Sequence, residues 1–263
     1  MELILFIIIL AFLFESMDSM AGMGFGTALS PLLFLFGYSP LQVVPTILIS
    51  EAITGIIDTF FDHEFKNVQY SFHPLNDATK IALIMSFFGC IAIFASIILG
   101  YLAIKFPDFV IKMYVAILVI FMGVSGFIRI KLIKIEQSKK SLKMLIGFSV
   151  LAGFNKGIGG GGYGPVITLG QIFSGIYEKS ATAIVSFAES LVSIVGILTF
   201  FLISFAGVVV DLVLLPSIFT GGFIAALLAP YLVRVFPNKI WKYVIPIYAI
   251  GIGLFSLLKI IML

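Results

Sequence analysis

Four ionisable side chains stand inside stretches too apolar to tolerate them without a reason. Lys156 follows Asn155 at the end of one such stretch, directly before Gly157 and a glycine run. A cation buried in an apolar segment is expensive, and by default it is paired or functional. A small anion needs positive potential and oriented N–H donors. Lys156, the Asn155 amide and the backbone N–H groups opening the next helix could supply both. A lysine that snorkels to the membrane surface is the structural alternative. Asp18 lies 138 positions earlier, at the matching place in the first half. Opposite charges so placed could meet across a central axis, as a lock, a gate or a protonation switch. A loop acid at the water boundary fits Asp18 equally well.

Glu51 and Glu189 share the same 138-residue offset, each about ten residues into an apolar helix. Glu51 has Thr54 at i+3 and Asp58 at i+7, which puts all three on one helix face. Glu189 is flanked by Ser186, Ser190 and Ser193. A carboxyl in that setting can hold a proton, so coupling or gating suits it better than direct contact with an anion. A protonated carboxyl bonding between helices is the alternative.

The elements that must position these groups are marked by glycine. Ala21-Gly22-Met23-Gly24-Phe25-Gly26 recurs as Gly159-Gly160-Gly161-Gly162-Tyr163-Gly164. Glycine is a poor helix former, and irregular backbone at membrane depth survives only when packed in protein or lining a cavity. One such break per half is the sequence mark of a transporter's binding site. The backbone around Gly22, Gly24, Gly26, Gly159, Gly160, Gly161, Gly162 and Gly164 is therefore a candidate substrate cradle.

Composition sets the class. Hydrophobic residues make up 61% of the chain and charged residues 11%, against roughly 25% charged in a soluble domain. Apolar segments fall at 2–17, 24–37, 41–62, 79–104 and 109–129, then at 144–156, 162–175, 180–205, 209–234 and 240–262. Pro45, Pro216, Pro230 and Pro246 are expected to kink helices. The first stretch lacks Lys and Arg, which argues against a cleavable signal peptide. A single cysteine, Cys90, excludes an intrachain disulfide and a Cys-rich metal site. His63 and His73 lack ligand spacing. No P-loop, metal motif or nucleophile–base pair is present, so neither ATP-driven transport nor an intramembrane enzyme is expected.

The repeat runs beyond glycine. Gly37 matches Gly175 and Ile56 matches Ile194 at the 138-residue offset. At an offset of 130, Tyr101 matches Tyr231, Phe106-Pro107 matches Phe236-Pro237, and Gly123 matches Gly253. The change of offset is expected in the polar loop at 62–80. The expected architecture is an all-α polytopic membrane protein with two inverted repeats. Each would hold a glycine-broken pair of short helices followed by three transmembrane helices. Residues 1–130 form the first repeat, 131–143 a basic cytoplasmic linker and 144–263 the second repeat. Arg129, Lys131, Lys134, Lys139, Lys140 and Lys143 against Glu136 place that linker inside. The equivalent loops at 105–112 and 234–242 then face opposite sides, which is what inversion requires. Segments of 13–16 residues reach only about 20–24 Å, so the first two segments of each half suit partial insertion.

Gly22 to Pro31 and Gly157 to Pro165, together with the duplication and the length, resemble the sulfite exporter TauE/SafE family across essentially the whole chain. The resemblance implies a multi-pass transporter of small sulfur-containing anions such as sulfite, sulfoacetate or related organosulfonates, with export coupled to an ion gradient. An anion channel, or a carrier for a different small anion, is the alternative; saturable countertransport separates carrier from channel. Expected partners are the small anionic substrate and membrane lipid, with a homodimer left open. No cofactor and no nucleic acid are expected. The expected location is the cell membrane.

Overall fold

The computed structural model describes residues 3–22, 25–132, 141–174, 178–235 and 241–262. Among the described residues the elements are helical. In order they are α1 (Leu5–Ala21), α2 (Phe25–Leu35), α3 (Pro40–Glu64), α4 (Asp77–Ile97), α5 (Asp108–Leu132), α6 (Leu142–Gly159), α7 (Tyr163–Phe173), α8 (Glu178–Phe205), α9 (Leu215–Val235) and α10 (Trp241–Met262). A π-helical segment, Ile98–Ala103, continues α4. Met23, Gly24, the linker residues 133–140 and Phe236-Pro237 lie outside the described residues.

Local chemistry explains the boundaries. At the start of α3, Ser39 and Gln42 form a capping box, and Pro40 occupies the first turn, where its missing N–H is harmless. Asn76 caps α4 by accepting from the Thr79 N–H at 2.9 Å. Helices α1 and α6 end the same way. Gly22 (φ 65°) and Gly160 (φ 75°) adopt the left-handed conformation that glycine alone reaches without strain. Their N–H groups return to the Asp18 and Lys156 carbonyls. The repeat seen in sequence thus reappears as one stop signal used twice, with α2 and α7 following at equal length.

Contacts between helices follow the same exchange. Helix α1 packs on α9 and α6 on α4; α3 packs on α9 and α8 on α4; α2 meets α10 and α7 meets α5. The two self-paired contacts, α3 with α8 and α5 with α10, lie where the halves join. Small residues let α5 and α10 approach: a methyl group on Gly126 would lie 2.6 Å from Pro246 Cγ.

The structure corrects the sequence expectation most clearly at α9. The fourth segment of the second half starts at 215, not 209. Residues 206–214 are tied instead to α3, where the Gln42 amide donates to Asp211 Oδ2 at 2.8 Å. Pro216 therefore sits in the first turn of α9 and kinks nothing. The extra length of the first half is also shared: the 65–76 connection exceeds 206–214, and the α4 segment with its π continuation exceeds α9.

Four helical segments are long and apolar enough to cross a membrane: Pro40–Glu64, Asp77–Ala103, Asp108–Ile128 and Ala183–Phe205. Phe25–Leu35, Leu215–Leu228 and Pro246–Met262 are shorter and also apolar. Large apolar side chains such as Phe87, Phe121, Phe201 and Phe255 face outward, while Glu15, Glu51, Lys156, Gln171 and Glu189 are buried. Apolar outside and ionisable inside is the arrangement a lipid solvent selects.

Candidate functional site

The two glycine breaks stack on each other. A methyl group on Gly26 would strike the Gly160 carbonyl and lie 2.9 Å from Gly161 Cα. One on Gly161 would strike the Gly26 backbone, and one on Gly164 would meet the Gly22 carbonyl oxygen at 2.5 Å. Backbone crosses backbone here, which only glycine permits. The Gly162 N–H donates to Thr27 Oγ1 at 3.2 Å, joining the breaks across the halves.

Lys156 is the charge at this crossing. It lies in the last turn of α6 and is fully buried. Its ammonium donates to Glu51 Oε2 and, at 2.7 Å, to Glu189 Oε1. The Tyr163 ring centre lies 5.8 Å from the same nitrogen. Glu51 Oε1 in turn accepts the Gly26 N–H at 3.2 Å. Glu51 thus connects the N-terminus of α2 to the lysine of α6. Two carboxylates around one lysine leave the triad one negative charge in excess when all three are ionised.

Sequence reasoning put Lys156 in one constellation and Glu51 with Glu189 in another. The structure brings all three together. Asp18 lies at the edge of the crossing: a methyl group on Gly164 would lie 3.7 Å from its Oδ1. Asn155 points toward α5, where its Oδ1 accepts from the Tyr114 hydroxyl, and its buried Nδ2 has no partner. Several donors expected for an anion are occupied. The Gly22 and Gly160 N–H groups close helix ends, the Gly26 N–H serves Glu51, and the Gly162 N–H serves Thr27. Gly159 faces Val115 of α5. Gly24 lies outside the described residues.

Beside the breaks, two crevices open toward α5 and α10. One is lined by Gly26, Thr27, Val115, Met122, Gly159 and Gly161, among others. The other includes Thr27, Met122, Pro165, Pro246 and Tyr248. Both are largely apolar, and neither reaches the triad. The arrangement is a closed one: the triad's charges paired, several donors used, breaks in contact.

Sequence reasoning missed Glu15. It is buried in α1, and its Oε2 has no partner. Across from it, Asp58 on α3 accepts from the Ser19 hydroxyl at 2.7 Å while its Oδ1 stays unpartnered. An acid inside a 17-residue apolar helix was the available signal.

Comparison with known proteins gives two findings. A family model described as sulfite exporter TauE/SafE matches residues 7–256. The probable membrane transporter protein YtnM of Bacillus subtilis (strain 168) is 27% identical over 230 residues, covering 84% of this chain and 72% of that protein. No solved structure matches.

Proposed function

This chain belongs to the sulfite exporter TauE/SafE family of multi-pass membrane transporters, and from that premise we propose that it is a secondary carrier of small sulfur-containing anions such as sulfite. The observation that carries the mechanism is the buried Lys156, shared by Glu51 of the first half and Glu189 of the second at the crossing of the breaks. An anion reaching Lys156 must displace a carboxylate. A free carboxylate left beside a bound anion would be repelled strongly in a buried setting. For a monovalent anion such as hydrogensulfite, adding one proton to the displaced carboxyl keeps the charge of the site constant. Anion and proton therefore bind together, and the direction of transport follows their combined gradients.

Alternating access then works through the two repeats, which we read as inverted. The exchange of contacts between halves, the matched glycine stops and the basic residues near 129–143 support that reading. The closed triad is the occluded form. Opening separates Lys156 from one carboxylate and lets one repeat rock against the other. Asn155, with its free amide donor beside Lys156, completes the anion cradle once the breaks part.

The test is flux of radiolabelled sulfite into proteoliposomes with and without a pH gradient. Saturable flux that responds to the gradient and disappears in Lys156→Met supports the carrier. Non-saturable flux would make it a channel, and absence of sulfite flux in folded protein would remove the substrate assignment.

A further inference from the structure

Glu15 and Asp58 form a second acidic site, away from the triad. Glu15 and Ser19 lie one turn apart on α1; Thr54 and Asp58 lie one turn apart on α3. Ser19 bonds Asp58, which links the two helices at this level. Glu15 is 3% exposed and Asp58 7%. Glu15 Oε2, Asp58 Oδ1 and the Ser16 hydroxyl oxygen have no hydrogen-bond partner among the described residues. Thr54 is the hydroxyl neighbour of Glu15.

Among the described residues, the charged groups nearest the pair are acids. Asp58, Asp18 and Glu51 act on Glu15; Asp62 and Glu189 act on Asp58. Helix α10 contributes Tyr248, whose ring packs on Phe14. Lys156 is committed to Glu51 and Glu189. Two buried carboxylates with no cation partner are among the costliest arrangements a protein can hold. Each has one carboxylate oxygen without a hydrogen-bond partner among the described residues, and a bound proton would remove one of the two charges.

The second half has no such site. At the same offset, Glu15 becomes Gly153, Ser19 becomes Gly157, Thr54 becomes Val192 and Asp58 becomes Gly196. Those positions are closed by packing: Gly153 against the Gly89 backbone, and Gly157 against Ser96. The acids are therefore not a by-product of the repeat.

We propose that Glu15 and Asp58 share a proton between α1 and α3 and form the station from which the triad is protonated. Ser50, Thr54, Asp58 and Asp62 follow each other at four-residue spacing along α3. The file runs from the level of Glu51 to the half-buried Asp62 and the exposed His63 and Glu64 beside the 65–76 connection. The proton enters at Asp62 and is held between Asp58 and Glu15. It then leaves that pair for the Glu51 carboxylate, which lets go of Lys156. Its role in transport rests on the carrier reading above; its presence in the resting protein does not.

Infrared spectroscopy of the purified protein near neutral pH tests this first. The expected result is a carbonyl band of a protonated carboxylic acid, shifted in D2O and lost in both Glu15→Gln and Asp58→Asn. Absence of the band in the wild type overturns the proposal without needing any variant. So does a band that both folded variants retain, or one that sodium ions abolish, which would make the pair a sodium site. In proteoliposomes, the same variants are expected to lose sulfite accumulation driven by a pH gradient at least tenfold. Accumulation that persists in both variants overturns the coupling role. A band that behaves as expected in a protein without sulfite flux leaves the proton site standing and removes the substrate reading.

Discussion

The first half of this protein lines α1 and α3 with acids and hydroxyls; the second half lines the equivalent α6 and α8 with glycine. Glu15 and Asp58 stand where Gly153 and Gly196 stand. In the first half, the Ser19–Asp58 bond links α1 to α3, while Gly221 of α9 lies against the α1 backbone at Ile8. In the second, glycine brings α6 within backbone contact of α4. At the centre the halves keep matching acids, with Glu51 and Glu189 on either side of Lys156. A duplicated scaffold has kept its geometry and divided its chemistry. One half carries the titratable path, and the other carries the lysine.

The strongest way to break this comparison is at the shared centre. Lys156→Met leaves two carboxylates buried without a cation and should destabilise the fold by about 3–5 kcal/mol, abolishing flux. Thermal unfolding in detergent and proteoliposome flux read the two effects. Adding Glu51→Gln and Glu189→Gln to that variant should recover most of the stability and none of the flux. Full stability in the single variant would mean that the triad is not the junction described.

Next comes the tight seam. Gly153→Ala would press a methyl group into the Gly89 backbone, and overpacking of this kind costs about 1–3 kcal/mol. Gly196→Ala meets only the side-chain ends of Ile93 and Leu48 at 2.7 and 2.9 Å, which can shift, so its cost should stay below about 1 kcal/mol. Gly147→Ala, also on α6, meets nothing within 4 Å. It should be neutral or stabilising by up to about 1 kcal/mol through helix propensity. A melting series ranking these three in that order supports the seam; equal effects would dissolve it.

Much of this was legible in the sequence, for physical reasons. Glycine breaks and apolar runs mark helix ends whatever the tertiary packing, so the order of short and long helices could be read directly. Lys156, Glu51 and Glu189 stood out because charge in an apolar segment must be answered. That they answer one another could not be read, because helix rotation and crossing decide which faces meet. The breaks suggested free N–H donors, whereas Glu51, Thr27 and helix ends use several of them. Glu15 was overlooked because one acid near a helix end resembles a water-facing residue, and its burial depends on α3 and α9 packing over it.

The most direct test of the central claim is calorimetric titration of the purified protein with sulfite in two buffers of different ionisation enthalpy. If an anion displaces a carboxylate from Lys156 and that carboxylate is protonated, the heats should differ by close to one proton taken up for each anion bound, after correction for the ionisation of sulfite itself. Lys156→Met should show no binding. Binding with no net proton uptake would contradict the account, because the anion would then leave the triad as it is.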